Sequence, residues 1–90
     1  MKIEIMGFEF EGKTVTELDL DLEALTGRDL LDAEREANAM LGRPSTDLDK
    51  TYQVCVAAKA AKVVPDMILA MPAKYFAKVT SAVQSFLFGA

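Results

Sequence analysis

The stretch "LTGRDLLDAEREANAMLGRP", residues 25–44, contains a complete helix together with the signals that begin and end it. Thr26 and Asp29 have the spacing of a capping box, in which each side chain accepts a hydrogen bond from the other residue's backbone N–H. Gly42 suits the left-handed conformation that ends many helices, and the proline two residues later prevents continuation. These signals predict a helix over residues 27–41. Structural roles are assigned to Thr26, Gly27, Asp29 and Gly42.

Three further helices are predicted after this one. The first spans residues 47–62, and apolar residues cover most of its circumference, as in a helix that is central to a fold or shared between chains. Three adjacent residues can cap it: Ser45, Thr46 or Asp47. A proline opens each of the other two helices, which are predicted at residues 65–71 and 72–88.

The residues before the first helix are typical of two β-strands. Apolar and polar residues alternate over residues 2–22, and Gly12 divides the stretch, which predicts a β-hairpin with a structural glycine in its turn. A lone hairpin is marginally stable in water, so we expect it to pack on helices. The predicted fold is therefore α+β and mainly helical, with an N-terminal β-hairpin followed by three or four packed α-helices.

The strand register can be predicted from the turn. A three-residue loop over residues 11–13 gives two cross-strand pairs: Phe10 with Thr14 and Phe8 with Thr16. The isoleucines at the start of the first strand fall on the opposite parity from these phenylalanines. We therefore expect a bulge or bend at Met6-Gly7.

Length and composition indicate one domain over residues 1–90, which cannot bury all of its apolar surface. Half of the residues (51%) are hydrophobic, and the mean hydropathy is +0.16. A chain of this size buries only about 60–65% of its unfolded surface. We expect some of the remaining apolar surface to meet a partner or another copy of the chain.

Charge and residue content argue against several functions. The net charge is −4, and Lys59, Lys62, Lys74 and Lys78 give the second half only a modest basic tendency, so nucleic-acid binding is not favoured. Histidine is absent, and Cys55 is the single cysteine, so no catalytic, metal or cofactor residue is predicted. No signal peptide and no apolar run long enough to span a bilayer is recognisable, which predicts a location in the cytoplasm.

Two features have a functional and a structural interpretation. Asp19, Asp21 and Glu23 recur at every second residue and could gather a calcium ion. The favoured interpretation is the solvent side of an edge strand, where like charges discourage aggregation. Cys55 lies among apolar residues with no histidine to activate it, so core packing is favoured over nucleophilic chemistry.

Large apolar residues of the last two predicted helices are the candidates for partner binding. Methionine and aromatic side chains adapt well to binding surfaces and contribute strongly there. The candidates are Met67, Met71, Tyr75, Phe76, Val79, Val83, Phe86, Leu87 and Phe88. Each of them could instead fill the core of the chain itself, and the sequence leaves that alternative open.

The chain is similar to the Mu-like phage tail assembly chaperone family. The resemblance rests on four segments: "FEFEGKTVTELDL", "LTGRDLLDAERE", "YQVCVAAKAA" and "FAKVTSAVQSFL". Its most specific element is the turn from Thr26 to Asp29 into the first helix, followed by Tyr52 and the alanine-rich helix.

The resemblance implies a non-catalytic chaperone of a phage or prophage, acting in the host cell cytoplasm. It would bind apolar helical segments of the tape-measure protein during tail assembly. A longer form of the chain, made by ribosomal frameshifting, would diverge within residues 86–90. Homo-oligomers are also expected.

Other functions remain as alternatives. The first is a structural or completion protein that is retained in the phage tail. A transcription regulator would need a basic recognition helix, whereas the helix at residues 27–41 is acidic. An enzyme is the least favoured, because no nucleophile, base or metal cluster can be assembled.

Overall fold

An antiparallel hairpin and four helices make up the fold in the computed structural model, which describes residues 1–89. The elements in chain order are β1 (Lys2–Phe10), β2 (Lys13–Asp19), a short 3-10 helix (Leu22–Ala24), α1 (Gly27–Leu41), α2 (Lys50–Ala61), α3 (Pro65–Leu69) and α4 (Ala73–Leu87). This confirms the predicted α+β, mainly helical class.

The hairpin turn is shorter than the sequence indicates. Only Glu11 and Gly12 form it, and both have positive φ, at 52° and 78°. Phe10 consequently pairs with Lys13, and Phe8 pairs with Val15. The predicted pairs with Thr14 and Thr16 are therefore wrong by one residue. The cause is Glu11, which adopts a left-handed conformation that non-glycine residues seldom take.

The bulge expected in the first strand is confirmed. The register shifts between Glu4 and Phe8, and Gly7 in this interval has a φ of +71°. The irregularity lets Ile3 and Ile5 share the buried side with Phe8, although their parity differs. One face of the hairpin can therefore cover the helices.

Helix α1 begins and ends where its sequence signals predict. The N–H of Thr26 donates to the Asp29 carboxylate at 2.9 Å, and the N–H of Asp29 donates to the Thr26 hydroxyl at 3.3 Å. Gly42 has a φ of 69°, and its N–H donates to the Asn38 carbonyl at 2.8 Å. Gly27 is not left-handed, and a Cβ there would meet no atom within 4 Å. The structure therefore gives no steric reason for glycine at position 27.

Helix α2 begins three residues later than predicted, because the preceding residues form a turn of their own. Asp49 occupies the N-cap position, and its side chain makes no capping bond. Its carboxylate instead accepts hydrogen bonds from the N–H of Thr46, at 2.8 Å, and from Arg43, at 3.1 Å. The three predicted caps at residues 45–47 are therefore wrong.

The last two helices are shorter than predicted. Helix α3 ends at Leu69 rather than at residue 71. Helix α4 begins at Ala73, because Pro72 occupies the N-cap position with extended backbone, and it ends at Leu87.

Helix α2 is the centre of the core. It contacts α1, α3, α4, β2 and the 3-10 helix. Its residues 54–57 have no exposed surface. Lys59 pairs with Glu36 at 2.8 Å, and Cys55 contacts Met40, so α1 and α2 run antiparallel. The sequence left open whether this helix is central to the fold or shared between chains. The structure shows that it is central to the fold.

Candidate partner-binding surface

The nine residues predicted to bind a partner fall into three groups by exposure. Four lie in the core: Met71, Tyr75, Val79 and Val83. Four are half-buried: Met67, Phe76, Phe86 and Leu87. Phe88 is exposed, with 51% of its surface accessible.

The buried group forms the inner side of α4. The Tyr75 hydroxyl accepts a hydrogen bond from the backbone N–H of Met6, 3.1 Å away. Val79 and Val83 follow at one-turn intervals and have no exposed surface. This row packs inside the fold, since α4 contacts both α2 and β1. These residues stabilise the chain and do not lie on its surface.

The opposite side of α4 faces solvent, and we call it the α4 outer face. It comprises Lys74, Ala77, Lys78, Ser81, Gln84, Ser85 and Phe88. Two adjoining depressions lie along it and share Ser81 and Ser85. One, of about 360 Å³, is also lined by Gln84 and Phe88. The other, of about 280 Å³, reaches Met1 at the start of the hairpin.

Lysine is the only charged residue type on α4. The ammonium groups of Lys74 and Lys78 lie 5.0 Å and 6.0 Å from the centroid of the Tyr75 ring. Within residues 1–89, neither lysine forms a salt bridge. The first turn of α4 contains no acidic residue, and no side chain caps it. The positive end of the helix dipole therefore adds to the charge of Lys74, and Lys78 follows one turn later.

The basic character of α4 contrasts with the rest of the chain. Residues 1–49 carry thirteen of the fourteen acidic residues and five of the ten basic ones, a net charge of −8. Residues 50–90 carry the other five basic residues and one acidic residue, a net charge of +4. The α4 outer face is thus a basic surface on an acidic protein.

Several exposed apolar side chains were not among the predicted partner-binding residues. They are Met1, Met6, Leu31, Met40, Leu48, Val64 and Leu69. Leu31 could have been found from the sequence, because it lies off the apolar stripe of its helix. Met6 could not, since its exposure of 80% follows from the bulge in β1.

The remaining candidate sites are not assembled. β2 ends at Asp19, whereas Asp21 precedes the 3-10 helix and Glu23 lies in it, so the prediction that these acids line one edge strand is wrong. Cys55 is fully buried, and its Sγ lies 3.7 Å from the Met40 Sδ. Burial raises the pKa of this thiol, and the nearby Glu36 carboxylate raises it further. Among residues 1–89, no three His, Cys, Asp or Glu side chains come together in a way that could hold a metal ion. No helix in the same part of the chain is long and apolar enough to cross a membrane.

Comparison with known proteins identifies the family. The sequence profile of a family described as phage tail assembly chaperone proteins, E, or 41 or 14, matches residues 5–87. No curated protein and no solved structure matches the chain significantly. The match includes the hairpin from Ile5 onward, all four helices and the α4 outer face except Phe88. The chain therefore belongs to the phage tail assembly chaperone family.

Proposed function

We propose that this chain binds apolar helical segments of the tape-measure protein while a phage or prophage tail is assembled. Membership of the tail assembly chaperone family supports an interaction with tail proteins. The observation that carries the finer assignment is the exposure of Phe88 beside the half-buried Phe86 and Leu87 at the end of α4. Full burial of an aromatic side chain contributes about 1.5–3 kcal/mol of free energy. An exposed phenylalanine lacks this contribution, and a bound client can supply it.

Binding of this kind is reversible when each copy contributes a modest contact. Many copies on one long client then hold it by avidity, and each can leave separately. This supports a homo-oligomeric coat with a largely acidic exterior, which keeps the complex in solution. The role is non-enzymatic and belongs to the host cell cytoplasm, where tails are assembled.

A frameshifted longer form fits the same scheme. The extension would begin within residues 86–90, in or just after the last turn of α4, so the fold of the preceding residues would be kept. Ala90, the last residue of that segment, lies outside the described residues.

Co-expression with the cognate tape-measure protein tests the proposal. The wild-type chain should yield a soluble complex that survives size-exclusion chromatography. Phe88→Ser should reduce the recovered complex severalfold, because it removes an exposed anchor without disturbing the core. Leu48→Ser is the matched control, since Leu48 is 70% exposed on the loop before α2. A tape-measure protein that stays insoluble and unbound would refute the proposal.

The alternative, a structural or completion protein of the tail, makes a different prediction about the finished particle. Mass spectrometry of purified tails should find no peptides of this chain if it is a chaperone. Stoichiometric peptides in mature particles would favour the alternative.

A further inference from the structure

The α4 outer face combines three properties that together indicate which kind of ligand it can bind. Its first half carries two lysines, its middle carries Ser81, Gln84 and Ser85, which are uncharged, and its end carries Phe88. From Lys74 to Phe88 it is about 21 Å long, or roughly four helical turns. A surface of this length fits one helical segment lying along it.

The charge on this face is unmatched within the protein. Four of the ten basic side chains have a carboxylate partner: Lys2, Lys59, Arg35 and Arg43. Lys74 and Lys78 are among the six that have none within residues 1–89, and these two lie one turn apart on one helix, beside the same tyrosine ring. Lys74 lies in the first turn of α4, where positive charge is unfavourable, so a carboxylate from outside would relieve it.

The shape of the face favours close approach of a helix. Ser81 and Ser85 line both depressions, with Ala82 and Met1 in one and Gln84 and Phe88 in the other. Small side chains at a contact permit interaxial distances near 8 Å, the lower end of the usual range. An apolar strip on the incoming helix would therefore meet Met1 and Phe88.

We propose that the α4 outer face binds a helical client segment with an acidic strip beside its apolar strip. Lys74 and Lys78 are one turn apart, about 6 Å along the axis, so carboxylates at i and i+4 of the client can meet both. The inference rests on the proposed function and adds the chemistry of the client. The acidic remainder of this chain repels such a client, which restricts it to α4.

A second copy of the chain does not supply this ligand. Its central helix α2 is buried, and α3 is a single turn. The exposed side of α1 presents Leu31 among Arg28, Glu34, Arg35 and Glu36, so its acidic residues are interrupted by arginines. No helix within residues 1–89 therefore presents an unbroken acidic strip beside an apolar one, and we assign the client to another protein.

Two labelled 21-residue helical peptides test the proposal on the full-length protein. They share one leucine–alanine strip and differ only in carrying glutamate or lysine at the flanking positions. Fluorescence anisotropy at low salt should show that the glutamate peptide binds about tenfold more tightly. The preference should weaken at high salt, because exposed ion pairs are screened.

The variant Lys74→Glu/Lys78→Glu should reverse the preference. Lys13→Glu/Lys50→Glu is the control, because it changes the net charge equally at exposed lysines away from α4 and should leave the preference intact. Circular dichroism confirms that both variants are folded. Equal binding of the two peptides, binding of neither, or an equal effect of the control variant would overturn the proposal.

Two further measurements distinguish the acidic-client proposal from self-association and from the proposed chaperone function. If Lys74→Glu/Lys78→Glu abolishes self-association in sedimentation while the peptide preference is unchanged, the face is a contact between copies and the proposal is wrong. If the variant still forms the full amount of tape-measure complex, the acidic-client inference fails while the proposed chaperone function stands.

Discussion

Thr26 and Asp29 set the start of α1 through a reciprocal pair of hydrogen bonds. Each satisfies a backbone N–H that the helix itself cannot bond. This is local chemistry, decided by side chains three residues apart. It explains why the first residue of α1 could be predicted from the sequence without knowledge of the rest of the fold.

The variant Thr26→Ala should lower the free energy of unfolding by about 1 kcal/mol, because the N–H of Asp29 loses its acceptor. Urea denaturation followed by circular dichroism measures the change. Thr26→Ser keeps the hydroxyl and should stay close to wild type. Equal losses in the two variants would show that the hydroxyl does not cap the helix.

Two carboxylates should make stability depend on acid pH. Hydrogen bonding from the Thr26 backbone lowers the pKa of Asp29, and the Arg43 side chain lowers the pKa of Asp49, both from an ordinary value of 3.8. The folded state thus favours the ionised forms. Their stabilisation is complete above the ordinary value and is lost as pH falls through the lower folded pKa values.

The variant Asp29→Asn/Asp49→Asn should accordingly differ most from wild type at neutral pH. The difference in free energy of unfolding should shrink below pH 3.8. Thermal denaturation of both proteins between pH 7 and pH 2 provides the measurement. If the stabilities of the two proteins differed by the same amount at every pH in this range, Asp29 and Asp49 would not be the source of the pH dependence.

At the level of elements, the hairpin turn is held in a conformation that its sequence does not favour. Glu11 has a φ of 52°, a region where asparagine is far more common. Glu11→Asn should therefore raise the free energy of unfolding by about 1 kcal/mol.

Chemical denaturation measures this effect, and Glu11→Val is the opposing control. Valine is β-branched and resists positive φ, so it should destabilise the hairpin. Stabilisation by valine, or no difference between the variants, would be inconsistent with a two-residue turn.

The same elements show how far the sequence could predict the fold. The existence and order of the hairpin and helices followed from periodicity and from glycine and proline positions. The strand register did not, because it depends on Glu11 taking an unfavoured conformation. The start of α2 did not either, since the Asp49 carboxylate bonds Thr46 and Arg43 in a turn before the helix.

The candidate site was less predictable than the fold. A helix that packs on its own core and a helix that packs on a partner both need an apolar row. Val79 and Val83 belong to the first kind, and Phe88 lies on the other side. The core-facing and the outward-facing residues of α4 can be distinguished only when the positions of α2 and β1 are known. The charge contrast of α4 was visible in the sequence, but its meaning depended on knowing which side of α4 is covered.

For the whole molecule, the central position of α2 predicts the order of local stability. Amide hydrogens of Gln53–Ala60 should exchange more slowly than those elsewhere, through global unfolding only, because nearly every side of α2 is covered. The amides beside the hairpin turn should exchange through local opening.

Native-state hydrogen exchange at increasing urea concentrations checks this order. The α2 amides should show the full denaturant dependence of global unfolding, and the turn amides almost none. Slower exchange in the hairpin than in α2 would contradict the packing described for the core.

A helix enclosed on nearly every side also limits how related sequences can diverge. Ala57 has no exposed surface, and a larger side chain there would need a simultaneous reduction in a neighbouring element. Substitutions inside the molecule must therefore arise as compensating pairs, whereas the outward positions of α4 can change singly. Under the proposed function, adaptation to a new tape-measure protein would proceed on that exterior while the interior of the fold stays the same.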